Sequence, residues 1–340
     1  MIQPLLGKLT DKQDLSREEA HAAMLQIMSG EVTPALMAGF LVALRMKGET
    51  VEEVTGFAEA MREKMMVVNP KSRPLVDTCG TGGDRMKTFN ISTTAAFVAA
   101  GAGVAIAKHG NRAVSSACGS ADVLEALGIK LTLSPQQIAD CIDEVGIGFM
   151  FAPGLHPAMK HAAPIRKEMG IRTAFNILGP LANPAQAEAQ VLGVFSPAHT
   201  EFHANVLRNL GSKRALVVHG MDGLDEITTT GATQISELAD GEVKTRQITP
   251  EDNKIPRAKL EDLRCGNSAQ DNAEMLRAVL KGEKGPRRDI VLLNAAAALI
   301  AAEKAADFAD GIVMAAESVD SGRALKKLEA LREYTEKASG

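Results

Sequence analysis

Residues 76–93, VDTCGTGGDRMKTFNIST, hold the side chains whose spacing carries most chemical meaning. A short apolar run ending at Val76 leads into a turn with three glycines, Gly80, Gly82 and Gly83, and one acid, Asp84. Asn90, Ile91, Ser92 and Thr93 follow, where an Ala-rich helix should begin. Glycines let a backbone approach a ligand closely, and the first amides of a helix are unpaired donors with a favourable dipole. Together they predict a phosphate cradle. The string GTGGDR has neither the GK[ST] ending of a Walker loop nor the GxGxxG spacing of a dinucleotide fingerprint. Asp84 reads as part of the loop's own hydrogen bonding rather than as a metal ligand.

Three further segments supply groups that a polyanion and its partner need. In KHGNRAVSS, residues 108–116, Lys108 and Arg112 are cationic donors, Ser115 and Ser116 bring hydroxyls, and Gly110 permits close approach. His109 lies in this basic turn and is expected to line the site without a proton-transfer role. Ser120, in GSADVLEALG at 119–128, is placed to cap a helix whose amides could also face an anion. In MDGLDEITTTG, residues 221–231, Asp225 and Glu226 are adjacent carboxylates. On a strand they would diverge, but in a loop both can turn toward one metal-phosphate cluster, and magnesium needs only one or two carboxylates beside phosphate and water. Arg166, in HPAMKHAAPIRKEMGIRTAFN, offers a planar guanidinium suited to bidentate pairing with a carboxylate.

The elements that must position these groups follow from local pattern. The first 66 residues read as wholly helical, with capping boxes at Ser16/Glu19 and Thr50/Glu53 and an N-cap with following proline at Thr33-Pro34. After the polar linker Asn69–Pro74, short β-like runs alternate with helices. Strands are expected at Leu75–Thr78, Val104–Lys108, Gly148–Phe151, Gln190–Phe195 and Ala215–His219, and helices from about Ser92, Ser120, Ser134 and Pro197. That alternation implies a mostly parallel sheet covered on both faces, with the chemical segments beyond strand ends. Residues 153–187 interrupt the rhythm with five prolines and read as a helical excursion that packs on the N-terminal helices. Residues 235–260 suggest an edge hairpin around Asp240-Gly241. Helices Asp271–Lys281, Ile290–Glu303 and Arg323–Lys337 close the chain. The expected domains are 1–68, joined in space by 153–187, and an α/β domain of 69–152 with 188–340.

Bulk properties narrow the class. The 340 residues carry a formal net charge of −4, with 45% hydrophobic and 24% charged residues, so no global basic field favours nucleic acid. The four cysteines are scattered without a CxxC or Cys/His cluster, which argues against zinc and against a disulfide framework. Cys79 reads as a small residue filling a turn rather than a nucleophile, because no base is evident beside it. The stretch MIQPLLGKLTDK lacks a charged-then-apolar signal pattern, and the longest apolar run, Ala95–Ala107, falls short of the roughly 18 residues of a membrane span. No membrane association and a cytoplasmic location are expected.

Taken in order, DTCGTGGD, TFNIST, KHGNRAVSS, GSADVLEALG, FAPGLHPAMKHAAPIRKEMGIRTAFNILGPLANP and GMDGLDEIT cover nearly the whole chain and resemble the anthranilate phosphoribosyltransferase family. The resemblance implies a small all-helical domain plus a larger α/β domain with a mostly parallel central sheet flanked by helices. It further implies a homodimer formed through the helical parts, and a fold shared with pyrimidine nucleoside phosphorylases. The implied reaction joins anthranilate to 5-phosphoribosyl 1-diphosphate (PRPP) with Mg2+ assistance, in tryptophan biosynthesis. By resemblance, Gly80, Gly83, Asp84, Thr88, Asn90, Ile91, Ser92 and Thr93 match its PRPP contacts, as do Lys108, His109, Gly110, Asn111, Arg112, Ala113, Val114, Ser115, Ser116 and Ser120. Ser92, Asp225 and Glu226 match its magnesium positions. Gly80, Asn111 and Arg166 match its anthranilate positions, while His109, His156 and Pro157 fall in segments lining the acceptor's approach. No side chain is expected to act as acid or base, since an aniline-type amine is already neutral at pH 7. The alternatives are a pyrimidine nucleoside phosphorylase of the same fold, which needs neither a diphosphate-metal site nor a carboxylate clamp, and a non-catalytic nucleic-acid-binding relative, which would need a basic surface.

Overall fold

The computed structural model describes residues 2–82, 86–113 and 118–339. Four helices open the chain: α1 (Ile2–Thr10), α2 (Arg17–Met28), α3 (Pro34–Lys47) and α4 (Val51–Lys64). Both expected capping boxes form, Ser16 with Glu19 and Thr50 with Glu53, and the Thr33 side chain accepts from the Leu36 amide above Pro34. Glu53 does more than cap. It is fully buried, accepts the Leu15 amide at 2.9 Å and pairs with Lys47 at 3.0 Å, so it stitches α4 to the turn before α2 and to the end of α3.

The α/β part then runs β1 (Leu75–Gly80), α5 (Ile91–Gly101), β2 (Ala105–Gly110), α6 (Ser120–Ala126), α7 (Pro135–Val145) and β3 (Ile147–Phe151). The excursion contributes three short helices, α8 (Ala152–Leu155), α9 (Ala163–Met169) and α10 (Phe175–Leu178), with 3₁₀ turns at Pro157–His161 and Gly179–Leu181. It returns into β4 (Ala189–Gly193), α11 (Ala198–Asn209), β5 (Arg214–Gly220), β6 (Thr233–Ala239) and β7 (Glu242–Ile248). Helices α12 (Ala269–Leu280), α13 (Pro286–Ala301), α14 (Phe308–Asp320) and α15 (Arg323–Ala338) close the chain.

One seven-stranded sheet results, ordered β3-β2-β1-β4-β5-β6-β7. The first five strands in that order are mutually parallel, and β5-β6-β7 are antiparallel. Strand alternation sorts side chains onto two faces. Val191, Leu216 and Val218 join α5 and α13–α15 in one apolar cluster. Leu192, Ala215 and Val217 join α11, the four N-terminal helices and excursion residues Ala174–Ala182 in another. Both faces are therefore covered, and the mostly parallel α/β architecture stands.

Local departures have identifiable causes. Ser120 is not a cap: Gly119 occupies the N-cap position of α6, and Asp122 reaches back to accept the Gly119 amide at 2.8 Å and the Ala113 amide at 2.9 Å. The helix thus begins one residue earlier, Asp122 supplies the reverse half of a capping box, and the Ser120 hydroxyl turns to the Asn111 carbonyl. The edge hairpin turns at Asp240-Gly241, whose φ angles of 52° and 79° suit a two-residue hairpin loop. It spans 233–248, whereas 249–263 forms 3₁₀ turns. Pro250 and Pro256 lack the amides that a continued ladder requires.

Candidate active site

The strand order reverses at β1. From there the chain builds outward through β2 and β3 on one side and through β4 and β5 on the other. Such a switch point opens a crevice beyond the carboxyl ends of the two central strands. Gly80 ends β1 opposite Gly193, which ends β4. The loop after β5 crosses this seam. A Cβ at Gly80 would lie 2.7 Å from Asp225 Oδ2, and one at Gly193 only 1.6 Å from the Asp225 carbonyl oxygen. The two glycines are what let an acid from a third strand lie over the junction.

That acidic loop is fixed from both ends. Asp222 Oδ1 accepts the Leu224 amide at 3.2 Å, while Oδ2 accepts the hydroxyls of Thr228, at 2.6 Å, and of Thr230. From α13, the Asn294 side chain accepts the Ile227 amide at 3.0 Å and donates to the Ile227 carbonyl at 2.8 Å. Between these anchors, Asp225 Oδ2 accepts the Gly82 amide at 3.1 Å and Glu226 Oε1 accepts the Ser92 amide at 3.2 Å. Ser92 is the second residue of α5, where the amide has no intrahelical acceptor and the dipole favours an anion. Both acids of the pair therefore face the glycine loop and the start of α5, which the sequence places far away.

Beneath the crest lies a buried polar layer. Lys108 on β2 is 3% exposed and donates to the Thr78 carbonyl and, at 3.4 Å, to the Thr78 hydroxyl. Burial lowers its pKa, and the nearby carboxylates of Asp77 and Glu226 oppose that shift. Asp77 is fully buried, which raises its pKa; it accepts the His109 amide at 3.1 Å and the Asn183 side-chain amide at 2.8 Å. His109 and His156 meet Nε2 to Nε2 at 3.2 Å. Burial brings their pKa values down to about 3 and about 4, so both rings are neutral near pH 7. Pro157, next along, starts an exposed 3₁₀ turn. Cys79 has its thiol pKa raised by burial and accepts from Gln190 Nε2 at 3.0 Å, which fits an inert turn residue.

The rim groups are placed as follows. Thr88 bridges to Arg264. Asn90 donates to the Cys118 carbonyl at 3.2 Å, and its buried Oδ1 has no partner among the described residues. Ile91 and Thr93 are buried in the first turn of α5. Asn111 caps the Arg112 amide at 2.8 Å, and its carbonyl accepts the Ser120 hydroxyl at 3.2 Å. Gly110 sits tight against Ser120 and the Phe149 ring. Arg112 turns its guanidinium to α6, pairing with Asp122 at 3.2 Å and with Glu125 at 2.9 Å, and lies over the Phe151 ring. Its side chain thereby ties the 108–113 segment to that helix. Arg166 on α9 is half-buried and stacks over Phe175 at 5.2 Å, and among the described residues it pairs with no carboxylate. Gly83, Asp84, Val114, Ser115 and Ser116 lie outside the described residues.

Comparison with known proteins now decides the family. Residues 72–325 match the model described as "Glycosyl transferase family, a/b domain", and residues 3–65 match "Glycosyl transferase family, helical bundle domain". The chain is 57% identical over 335 residues to the anthranilate phosphoribosyltransferase of Symbiobacterium thermophilum, covering 98% of each. The crystal structure of the Thermus thermophilus enzyme of that name superposes with a TM-score of 0.92 at 46% identity, covering 97% of this chain and 99% of that one. The Saccharomyces cerevisiae enzyme, solved in complex with PRPP and Mg, superposes with a TM-score of 0.90 at 29% identity, covering 99% and 98%. The chain belongs to the anthranilate phosphoribosyltransferase family. In this member the helical-bundle match takes in α1–α4, and the a/b match runs from before β1 into α15.

Sequence reasoning left out Gly193, Asp222, Asn294, Asp77 and Asn183. Asn294 carries a legible signal, a lone amide in the apolar run IVLLNAAAALIA. Gly193, in VLGVF, is a glycine at a strand end and could also have been read. Asp77 gives no such signal, because its partner Asn183 is contributed by the far end of the excursion. Gly193→Ala tests the seam, since its methyl group requires the Asp225 backbone to move. Transferase turnover should fall by roughly 10²-fold, as for about 1 Å of misplacement, with far-UV circular dichroism unchanged. Unaltered turnover would show that the Asp225 segment need not lie there.

Proposed function

We propose that this chain transfers the phosphoribosyl group of PRPP to the amine of anthranilate, giving N-(5-phosphoribosyl)anthranilate and diphosphate in L-tryptophan biosynthesis. The observation that carries the reading is the meeting of Asp225 and Glu226 with the amides of Gly82 and Ser92. A pentosyl transferase using a diphosphate leaving group needs anion donors and cation ligands at one place. This seam offers both.

PRPP is assigned to the loop 80–93, the segment 108–116 and Ser120, with backbone amides and Lys108 supplying the positive field. Carboxylates and a hydroxyl are hard oxygen donors, so Asp225, Glu226 and Ser92 fit Mg2+ in chemical type. When bound, the ion would neutralise charge developing on the diphosphate. The chain's own part is positional and electrostatic: glycine-loop amides hold the anionic oxygens and fix the diphosphate end in place. An aniline-type amine arrives neutral, and the depressed pKa values of His109 and His156 leave them uncharged at pH 7, so neither adds charge where the acceptor enters. Arg166, desolvated and without an acidic partner among the described residues, is assigned to the anthranilate carboxylate, with Gly80 and Asn111 beside it.

In this reading the helical part, 1–68 with 153–187, presents the acceptor, and 69–152 with 188–340 presents PRPP. A homodimer through the helical part is supported by exposed apolar residues on α3, Met46 at 80% and Val42 at 36%. No helix among the described residues is long and apolar enough to cross a membrane, and we assign the chain to the cytoplasm. A nucleoside phosphorylase would have no use for the acidic pair or for Arg166, and a net charge of −4 does not favour nucleic acid.

Anthranilate fluorescence tests the reading directly: it should decay only when PRPP and Mg2+ are both present. Decay without either, or phosphorolysis of thymidine or uridine in its place, would overturn it. In the same assay Asp225→Asn/Glu226→Gln should lower kcat by roughly 10²-fold or more while leaving anthranilate affinity within about twofold, the pattern of lost transition-state electrostatics. Normal turnover of the double variant at limiting Mg2+ would remove the pair from the site. Arg166→Ala should raise the KM for anthranilate roughly tenfold or more, the scale of a lost charge-assisted pair, with the KM for PRPP little changed. An unchanged anthranilate KM would remove Arg166 as the clamp.

A further inference from the structure

The Gly82 peptide is held from two directions, and only one of them belongs to the site described so far. Its amide donates to Asp225, while its carbonyl accepts from Arg172 Nη2 at 3.0 Å. Arg172 follows α9 in the excursion, six residues beyond Arg166. Contacts with described residues on three sides help to fix its place. Its guanidinium lies 4.0 Å from the centroid of the Phe195 ring, just past the end of β4. Its carbonyl accepts from the Arg45 guanidinium of α3. The next residue, Thr173, is locked in a reciprocal turn, its amide donating to Asn176 Oδ1 and its carbonyl accepting the Asn176 amide, both at 2.9 Å.

These contacts give Arg172 a rigid base on one side and the glycine loop on the other. Its place over an aromatic ring preorganises the guanidinium, so little rotamer freedom is lost in making the bond to Gly82. The opposite grip is different in kind. Asp225 is assigned to the diphosphate end of the site, where an arriving cation competes for its carboxylate and an arriving oxyanion for the Gly82 amide that it holds. The arriving cation does not compete for the hold of Arg172 on the carbonyl, because a guanidinium is no ligand for magnesium.

We propose that Arg172 is a positioning residue for the transfer reaction: it keeps the Gly82 peptide in place for diphosphate binding when the hold of Asp225 on the Gly82 amide is given up to PRPP and its cation. The inference rests on the function proposed above. It extends that function to a side chain that need not touch either substrate, and it ties the loop to the segment that carries Arg166.

The test compares Arg172→Ala and Arg172→Lys with the unaltered protein, by steady-state kinetics and by calorimetric titration of PRPP with Mg2+ in the absence of acceptor. Loss of one charge-assisted bond predicts roughly a tenfold rise in both the KM and the Kd for PRPP in Arg172→Ala. The kcat at saturating PRPP should stay within about twofold, as for a residue that shapes the bound loop rather than the reacting bond. Arg172→Lys should recover part of the loss, since an ammonium can still donate to a carbonyl but does not stack as a guanidinium does. A PRPP KM and Kd equal to those of the unaltered protein would overturn the proposal. So would a rise confined to the KM for anthranilate, which would make Arg172 an acceptor ligand. A fall in kcat that tracks a lower melting temperature with both KM values constant would also overturn it, as a purely structural role. If the unaltered protein bound PRPP but consumed no anthranilate, the functional reading would fail while the titration still decided the role of Arg172.

Discussion

The structure depends on one close approach, the passage of the Asp225-Glu226 loop over the junction of β1 and β4. Parallel strands whose order reverses leave a gap at their carboxyl ends, and a gap lined only by amides would attract any anion. Laying two carboxylates across it changes what the gap selects. The amides of Gly82 and Ser92 now sit against two carboxylates from the loop after β5, and under the function proposed here the favoured ligand is an anion that brings its own divalent metal. The crossing is possible because Gly80 and Gly193 have no side chains, and it is stable because Asp222 and Asn294 fix the loop on either side.

The layer below the crest has a related task. Asp77, Lys108, His109, His156 and Asn183 are all buried, and buried polar groups must be satisfied or they destabilise the fold. Asp77 collects a backbone amide from β2 and a side-chain amide from the end of the excursion, so it sets the height of β1 relative to both. Lys108 spends its donors on Thr78 rather than projecting into solvent. Its amine is then a fixed part of the floor, close to Glu226 and oriented before any ligand arrives. For the proposed reaction this amounts to preorganisation: the reorganisation cost falls on folding instead of on the reaction.

Much of this was legible in the sequence because the signals were local. Capping boxes at Ser16 and Thr50, the Asp240-Gly241 turn and the alternation of strands with helices each depend on residues a few positions apart, and each formed. Ser120 is not the cap because the helix starts one residue earlier, with Gly119 at the N-cap and Asp122 accepting its amide. The anion loop and the acidic pair could be read separately, and family resemblance supplied their conjunction. Their contact depends on the strand order, which no local pattern encodes. For the same reason Gly193 escaped notice: its importance comes from what crosses it. Asp77 and Arg172 were hidden differently, since their partners are single groups contributed from distant segments.

The central claim is that Asp225 and Glu226 receive the metal that accompanies PRPP. Crystals grown with PRPP and Mn2+ in place of Mg2+, measured for manganese anomalous scattering, test it most directly. The account predicts an anomalous peak bounded by the carboxylates of Asp225 and Glu226 and the diphosphate, absent in Asp225→Asn/Glu226→Gln crystals prepared in the same way. A manganese peak elsewhere, or one that persists in the double variant, would contradict it.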